Sequence, residues 1–174
     1  MVRAGELSLA GCSAFLLDEY VGLPAGHPEG YRTFIERELV SQTDLDTARV
    51  QGPPAAAEDL EAACAAYEQA IRDAGGVDIQ ILGIGSNGHI AFNEPGSAAD
   101  SRTRLIELTE QTRRDNSRFF DGDLDQVPTH ALSQGLGTIL AADELVLVAM
   151  GAGKAEAVRR LVTGEPGPDC PATV

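Results

Sequence analysis

Three polar side chains, two of them able to carry a proton, fall within eight residues of one another in the stretch GIGSNGHIAFNEPGS, Gly83–Ser97: Asn87, His89 and Glu94. An imidazole titrates close to neutrality and can both take and give a proton, and a carboxylate within reach fixes its tautomer and raises its basicity. The competing reading is a plain loop, with glycines making turns and His89 and Glu94 capping backbone groups. Asp18 follows the apolar run CSAFLL (12–17), where it reads as a cap or a solvated strand end, or as a carboxylate base in a dry crevice with its acidity weakened by desolvation. Lys154 is the only lysine, and it follows Gly151-Ala152-Gly153 at an expected strand-to-helix turn. Such a turn holds a phosphate through backbone amides and a point charge. Arg118, just before Phe119-Phe120, is either a second phosphate donor or a surface residue at a helix end.

Two other motifs offer competing readings, a nucleotide-binding oxidoreductase and a calcium loop, and each is weakened by its context. Gly83, Gly85 and Gly88 match a dinucleotide-binding GxGxxG, with Glu107 19 residues beyond Gly88. That fingerprint must open a helix whose N-terminus meets the pyrophosphate, and here Pro95-Gly96 cuts any helix short. Asp121, Asp123 and Asp125 resemble the start of a calcium loop, but Gln126 stands where glycine is required and Leu132 where the last ligand should be. A Walker A loop is absent, and no other cluster has metal-ligand spacing.

The elements that must position these residues alternate. Short apolar runs at 12–17, 79–84 and 145–150 read as buried strands, and 103–108 as another. Helices are expected from Tyr31, Phe34, Ile35 and Leu39, from Leu60, Cys64, Tyr67 and Ile71 with the stop at Gly75-Gly76, and over 109–119. Leu132, Leu136, Ile139 and Leu140 keep helical spacing, and a last helix turns Val158, Leu161 and Val162 inward. Alternation of this kind predicts an α/β fold, a Rossmann-like, mostly parallel sheet with helices on both faces, in a single domain over 1–174. Ligands of such sheets bind beyond the carboxyl ends of the strands, where Asp18, Gly85–Glu94 and Gly151–Lys154 fall. A net charge of −14 argues against nucleic acid and anionic membrane surfaces as partners. Three scattered cysteines and no long apolar run fit a protein of the reducing cytoplasm.

LDEYVGL (17–23), GIGSNGHIAFNEPGS (83–97), SRTR (101–104), NSRFF (116–120) and GAGKAEAV (151–158) together resemble the glucosamine-6-phosphate deaminase family, in order and over nearly the whole chain. The 6-phosphogluconolactonases share that fold but differ in the DEY region and in the GHIAFNEPG loop. The resemblance implies isomerisation and deamination of glucosamine 6-phosphate to fructose 6-phosphate and ammonia, with no redox cofactor and no metal. It implies that His89, aided by Asn87 and Glu94, opens the sugar ring, that Asp18 carries the C2 proton toward C1, and that Arg118 and Lys154 hold the phosphate. Some members carry Asp where Asn87 stands. A further β/α segment with a phosphate loop precedes the family's equivalent of Met1, and final strands follow that of Val174, so the resemblance implies a shortened version with weakened activity. A non-catalytic sugar-phosphate sensor is the alternative, against which the joint presence of Asp18, His89 and Glu94 speaks. Ile106 replaces the lysine that partners Arg104 in members activated by N-acetylglucosamine 6-phosphate, so strong activation is not expected. The family includes monomers and hexamers, which leaves homo-oligomerisation open.

Overall fold

The structure, a computed structural model, describes residues 2–174, the side chain of Arg3 excepted. Its contacts group into two compact units: Met1–Ala63 with Leu105–Leu132, and Cys64–Arg104 with Ser133–Val174.

In the first unit, β1 (Ala14–Phe15) pairs in parallel with β3 (Val50–Gln51), and the ladder continues through Leu16 N–H to the Gln51 carbonyl at 2.9 Å. Leu16, Leu45 and Val50 form the core there, with Tyr31, Ile35 and Leu39 of α1 (Tyr31–Glu38) and its C-terminal turn packed on it. This is the expected apolar stripe without Phe34, which is 46% exposed and lies beneath the Arg37 guanidinium. The run 12–17 is not one strand. It breaks after Phe15, and Asp18 opens a new strand, β2 (Asp18–Tyr20), in a sheet ordered β2-β6-β5 with β5 (Arg104–Glu107) and β6 (His130–Ser133). The spacing does not predict β6, since Leu132 keeps helical register with Leu136, Ile139 and Leu140. Ala131, Leu132 and Ser133 are all buried, so the strand shows no alternation to betray it. α3 (Glu110–Asn116) is capped by Thr109, whose hydroxyl accepts from Thr112 N–H at 3.1 Å.

In the second unit, α2 (Leu60–Asp73) buries Cys64, Tyr67 and Ile71 as its spacing predicts and ends where Gly76 N–H bonds the Ile71 carbonyl at 2.9 Å. It also buries Glu68. The Glu68 carboxylate accepts from Thr103 N–H at 2.9 Å, Thr103 Oγ1 at 2.5 Å and Thr138 Oγ1 at 2.6 Å. Burial alone would raise its pKa, but these bonds and the Arg102 charge outweigh it and hold the acid below its ordinary range. β4 (Ile79–Leu82) pairs in parallel with β7 (Glu144–Leu147), from Ile79 opposite Glu144 to Leu82 opposite Leu147. These strands are not buried on both faces as their apolar runs suggested: Ile79 is 56% and Ile81 66% exposed, and Leu145, Val146, Val148 and Met150 also meet solvent. α4 is a single turn (Leu136–Ile139), and in α5 (Ala155–Thr163) Val162 points outward, at 74% exposure, while Val158 and Leu161 are half-buried. Among the described residues no helix is long and apolar enough to cross a membrane, and no group of three His, Cys, Asp or Glu is placed to hold a metal.

Candidate active site

The loop after β4 returns on itself. Gly85 N–H bonds the His89 carbonyl at 2.9 Å, and Gly88 N–H bonds the Gly85 carbonyl at 3.1 Å. No helix follows the three glycines, which removes the structural basis of a dinucleotide site. Gly85 is required by proximity, since a methyl there would overlap the His89 ring. Gly88 is required twice, by φ +87° and by the Cys170 sulfur occupying the space of any side chain. Downstream, Ile90–Asn93 forms a tight turn with Ala91 at φ 50°, an uncommon conformation for a residue with a side chain. Asn93, fully buried, pins that turn by donating to the carbonyls of Ile90 at 3.0 Å and Gln134 at 2.8 Å. The Phe92 N–H donates to Ser133 Oγ at 3.3 Å.

This framework brings three expected residues together. The Asn87 side-chain oxygen accepts the His89 backbone N–H at 3.1 Å, and its Nδ2 donates to Glu94 Oε2 at 2.7 Å. The same Glu94 oxygen lies 3.7 Å from His89 Nδ1. That exceeds a hydrogen bond but is within reach of an ion pair, and acid–base contacts of this type shorten when substrate closes the site. Asn87 therefore orients both members of a His–carboxylate pair without supplying charge.

Asp18 belongs to the other unit. It is half-buried at the start of β2, and its pKa is pushed up to about 7, first by desolvation and then by the neighbouring Glu19 charge. Alternation along β2 turns Glu19 to the opposite side. There its carboxylate accepts from the backbone N–H groups of Tyr20 at 2.9 Å, Tyr31 at 3.0 Å and Arg32 at 2.8 Å. It supplies the side-chain cap that Gly30, the N-cap residue of α1, cannot provide. Tyr20 stacks on Tyr31 with ring centroids 5.1 Å apart and takes a hydrogen bond from Asn116 Nδ2 at 2.9 Å, which walls β2 against α1 and α3. Burial raises the pKa of both phenols. Arg118 is the middle residue of the 3-10 turn Ser117–Phe119, exposed, its guanidinium 4.6 Å from the Phe119 ring centroid. Lys154 closes the 3-10 turn Ala152–Lys154 and stands at the start of α5. The Asp121–Asp125 stretch is a turn in which Asp123 caps Asp125 N–H, not a metal loop.

Sequence reasoning missed Glu19, Glu68 and Arg160. Each acts on backbone groups or on residues distant in sequence, which leave no local pattern.

The profile of the family described as glucosamine-6-phosphate isomerases/6-phosphogluconolactonase matches residues 3–174. A glucosamine-6-phosphate deaminase of Beutenbergia cavernae is 64% identical over 170 residues, covering 98% of this chain and 65% of the relative. One from Mycolicibacterium smegmatis is 62% identical over 172 residues, covering 99% and 66%. This chain thus spans just under two thirds of the length of these relatives. The solved structure of a monomeric glucosamine-6-phosphate deaminase, assigned to the NagB superfamily, superposes with a TM-score of 0.94 at 42% identity, covering 98% of this chain and 70% of that one. The 6-phosphogluconolactonase of Thermotoga maritima, at TM-score 0.69 and 20% identity over 92% of this chain and 66% of its own, shares the fold. The expected Rossmann-like α/β class is therefore correct, and the chain belongs to the glucosamine-6-phosphate isomerase/6-phosphogluconolactonase family.

Proposed function

We propose that this chain carries the proton-transfer groups of a glucosamine-6-phosphate deaminase, converting glucosamine 6-phosphate and water to fructose 6-phosphate and ammonia. The observation that carries the reading is its high identity with relatives bearing that name, against the low identity with the solved phosphogluconolactonase. The oriented His89–Glu94 pair supports it. In this reading His89 shuttles the anomeric hydroxyl proton to the ring oxygen, breaking the C1–O5 bond. Asp18 then removes the proton at C2 and returns one to C1 through an enolamine. Water adds to the resulting imine at C2, and ammonia leaves. A carboxylate with pKa near 7 is a far stronger base than an ordinary aspartate, which suits it to a carbon acid. Arg118 and Lys154 are the proposed phosphate-binding cations. No step requires a redox cofactor, and the free cysteines Cys12, Cys64 and Cys170 fit a cytoplasmic setting.

The test is ammonia and fructose 6-phosphate production from glucosamine 6-phosphate by the 174-residue chain. Turnover abolished by Asp18→Asn supports the reading. Hydrolysis of 6-phosphogluconolactone in its place, or substrate binding with no turnover by the unmodified chain, overturns it.

A further inference from the structure

Arg160 lies on α5, six positions beyond Lys154, and no motif points to it. Its Nη1 donates to the Asn87 carbonyl at 3.2 Å and its Nη2 to the Asp169 carbonyl at 2.7 Å. The two arms of the planar fork thus reach two separate backbone segments. Further stitches join the same segments: Ala172 N–H to the Gly88 carbonyl at 2.9 Å, and Gly96 N–H to the Pro168 carbonyl at 2.8 Å. The Cys170 sulfur seats against Gly88 between them. Asn87, held at its carbonyl by Arg160, is the residue whose side chain fixes both the His89 backbone and the Glu94 carboxylate.

We propose that Arg160 is a positioning residue: by clamping the Asn87 main chain to the 167–174 segment, it holds His89 and Glu94 in register for proton transfer. The proposal rests on the deaminase reading for its kinetic consequence, but not for its structural one. Lysine is a poor substitute, because one ammonium group cannot span both carbonyls in the same geometry.

The experiment compares Arg160→Ala, Arg160→Lys and, as control, Arg159→Ala, whose side chain is exposed and paired with Glu156. Glucosamine 6-phosphate turnover is measured together with amide exchange at His89, Ala172 and Val148. Misplacement of a reacting group by about 1 Å can cost ~100-fold. Arg160→Ala is therefore expected to lower kcat by about 10- to 100-fold with KM within about threefold of wild type. Added guanidinium ion should restore part of the loss, and Arg160→Lys should fall between. Exchange should quicken at His89 and Ala172 and stay unchanged at Val148, whose N–H bonds the Leu82 carbonyl in the strand pair. Arg159→Ala should match wild type throughout. Wild-type kcat and exchange in Arg160→Ala would overturn the proposal, as would equal loss of protection at Val148, which marks general destabilisation. If the unmodified chain releases no ammonia, the deaminase reading fails, and the exchange comparison alone still decides whether the clamp exists.

Discussion

The His89 imidazole lies against the α-carbon of Gly85, with no space between them for a methyl group. The ring is therefore positioned by an absence of side chain four residues upstream as well as by Asn87 and Glu94. Gly85→Ala is expected to push the imidazole off the Glu94 carboxylate, lowering kcat by about 100-fold while costing only about 1–3 kcal/mol of stability. Steady-state kinetics beside a urea titration would check the split; wild-type kcat in a folded variant would show that the ring position does not matter.

The raised pKa of Asp18 has a definite sign in both activity and stability. As the base, Asp18 must be ionised, so kcat/KM should rise with pH up to about 7. Folding has the opposite slope: the folded state holds the proton longer than the unfolded chain, so stability falls as pH climbs from about 4 to about 7. Asp18→Asn should be more stable than wild type above pH ~7 by about 2 kcal/mol, half the unscreened figure because water still reaches the carboxyl, and no different below pH ~4. Thermal melts across that range would show it.

Glu19 tests the second cause. Glu19→Gln removes the negative neighbour, so the acid limb of the kcat/KM profile should move to lower pH. The same substitution leaves one acceptor oxygen for three N–H groups at the start of α1 and should cost about 1 kcal/mol. An unmoved limb with lost stability would separate the two roles.

Glu68 works the other way. Its pKa is held down, so its contribution is present above about 4.5, the value of a free glutamate, and is lost as pH falls through the lower folded value. Thr138→Val removes one of the three donors and should destabilise by about 1–2 kcal/mol at neutral pH. The deficit should shrink in acid, as denaturant titrations at two pH values would reveal.

Much of this was legible in residue types. The helical stripes of α2 and, Phe34 apart, of α1, the Gly75-Gly76 stop and the crowding of Asn87, His89 and Glu94 follow from spacing and turn chemistry. What was not legible shares one property: dependence on partners far along the chain. β6 lacks alternation because the fold buries Ala131, Leu132 and Ser133 together. Asp18 opens a strand rather than ending one, because the ladder that pairs Ala14 and Phe15 with Val50 and Gln51 stops there. Glu19 and Arg160 spend their hydrogen bonds on main-chain atoms, which carry no identity that a sequence pattern could show.

The open face of β4 and β7 has a consequence that is colloidal rather than catalytic. By strand register Ile79, Ile81, Val146 and Val148 share one face, exposed by 56%, 66%, 43% and 50%, with the exposed Glu144 opposite Ile79 at its end. Two copies meeting there would bury hydrocarbon on both sides, and the net charge of −14 is what opposes their approach. Salt shortens the range of that repulsion to about 3 Å near 1 M while leaving that face as apolar as before. Light scattering should therefore turn from net repulsion to attraction as salt is added, and Ile81→Glu should abolish the change: the acidic composition acts as this protein's dispersant.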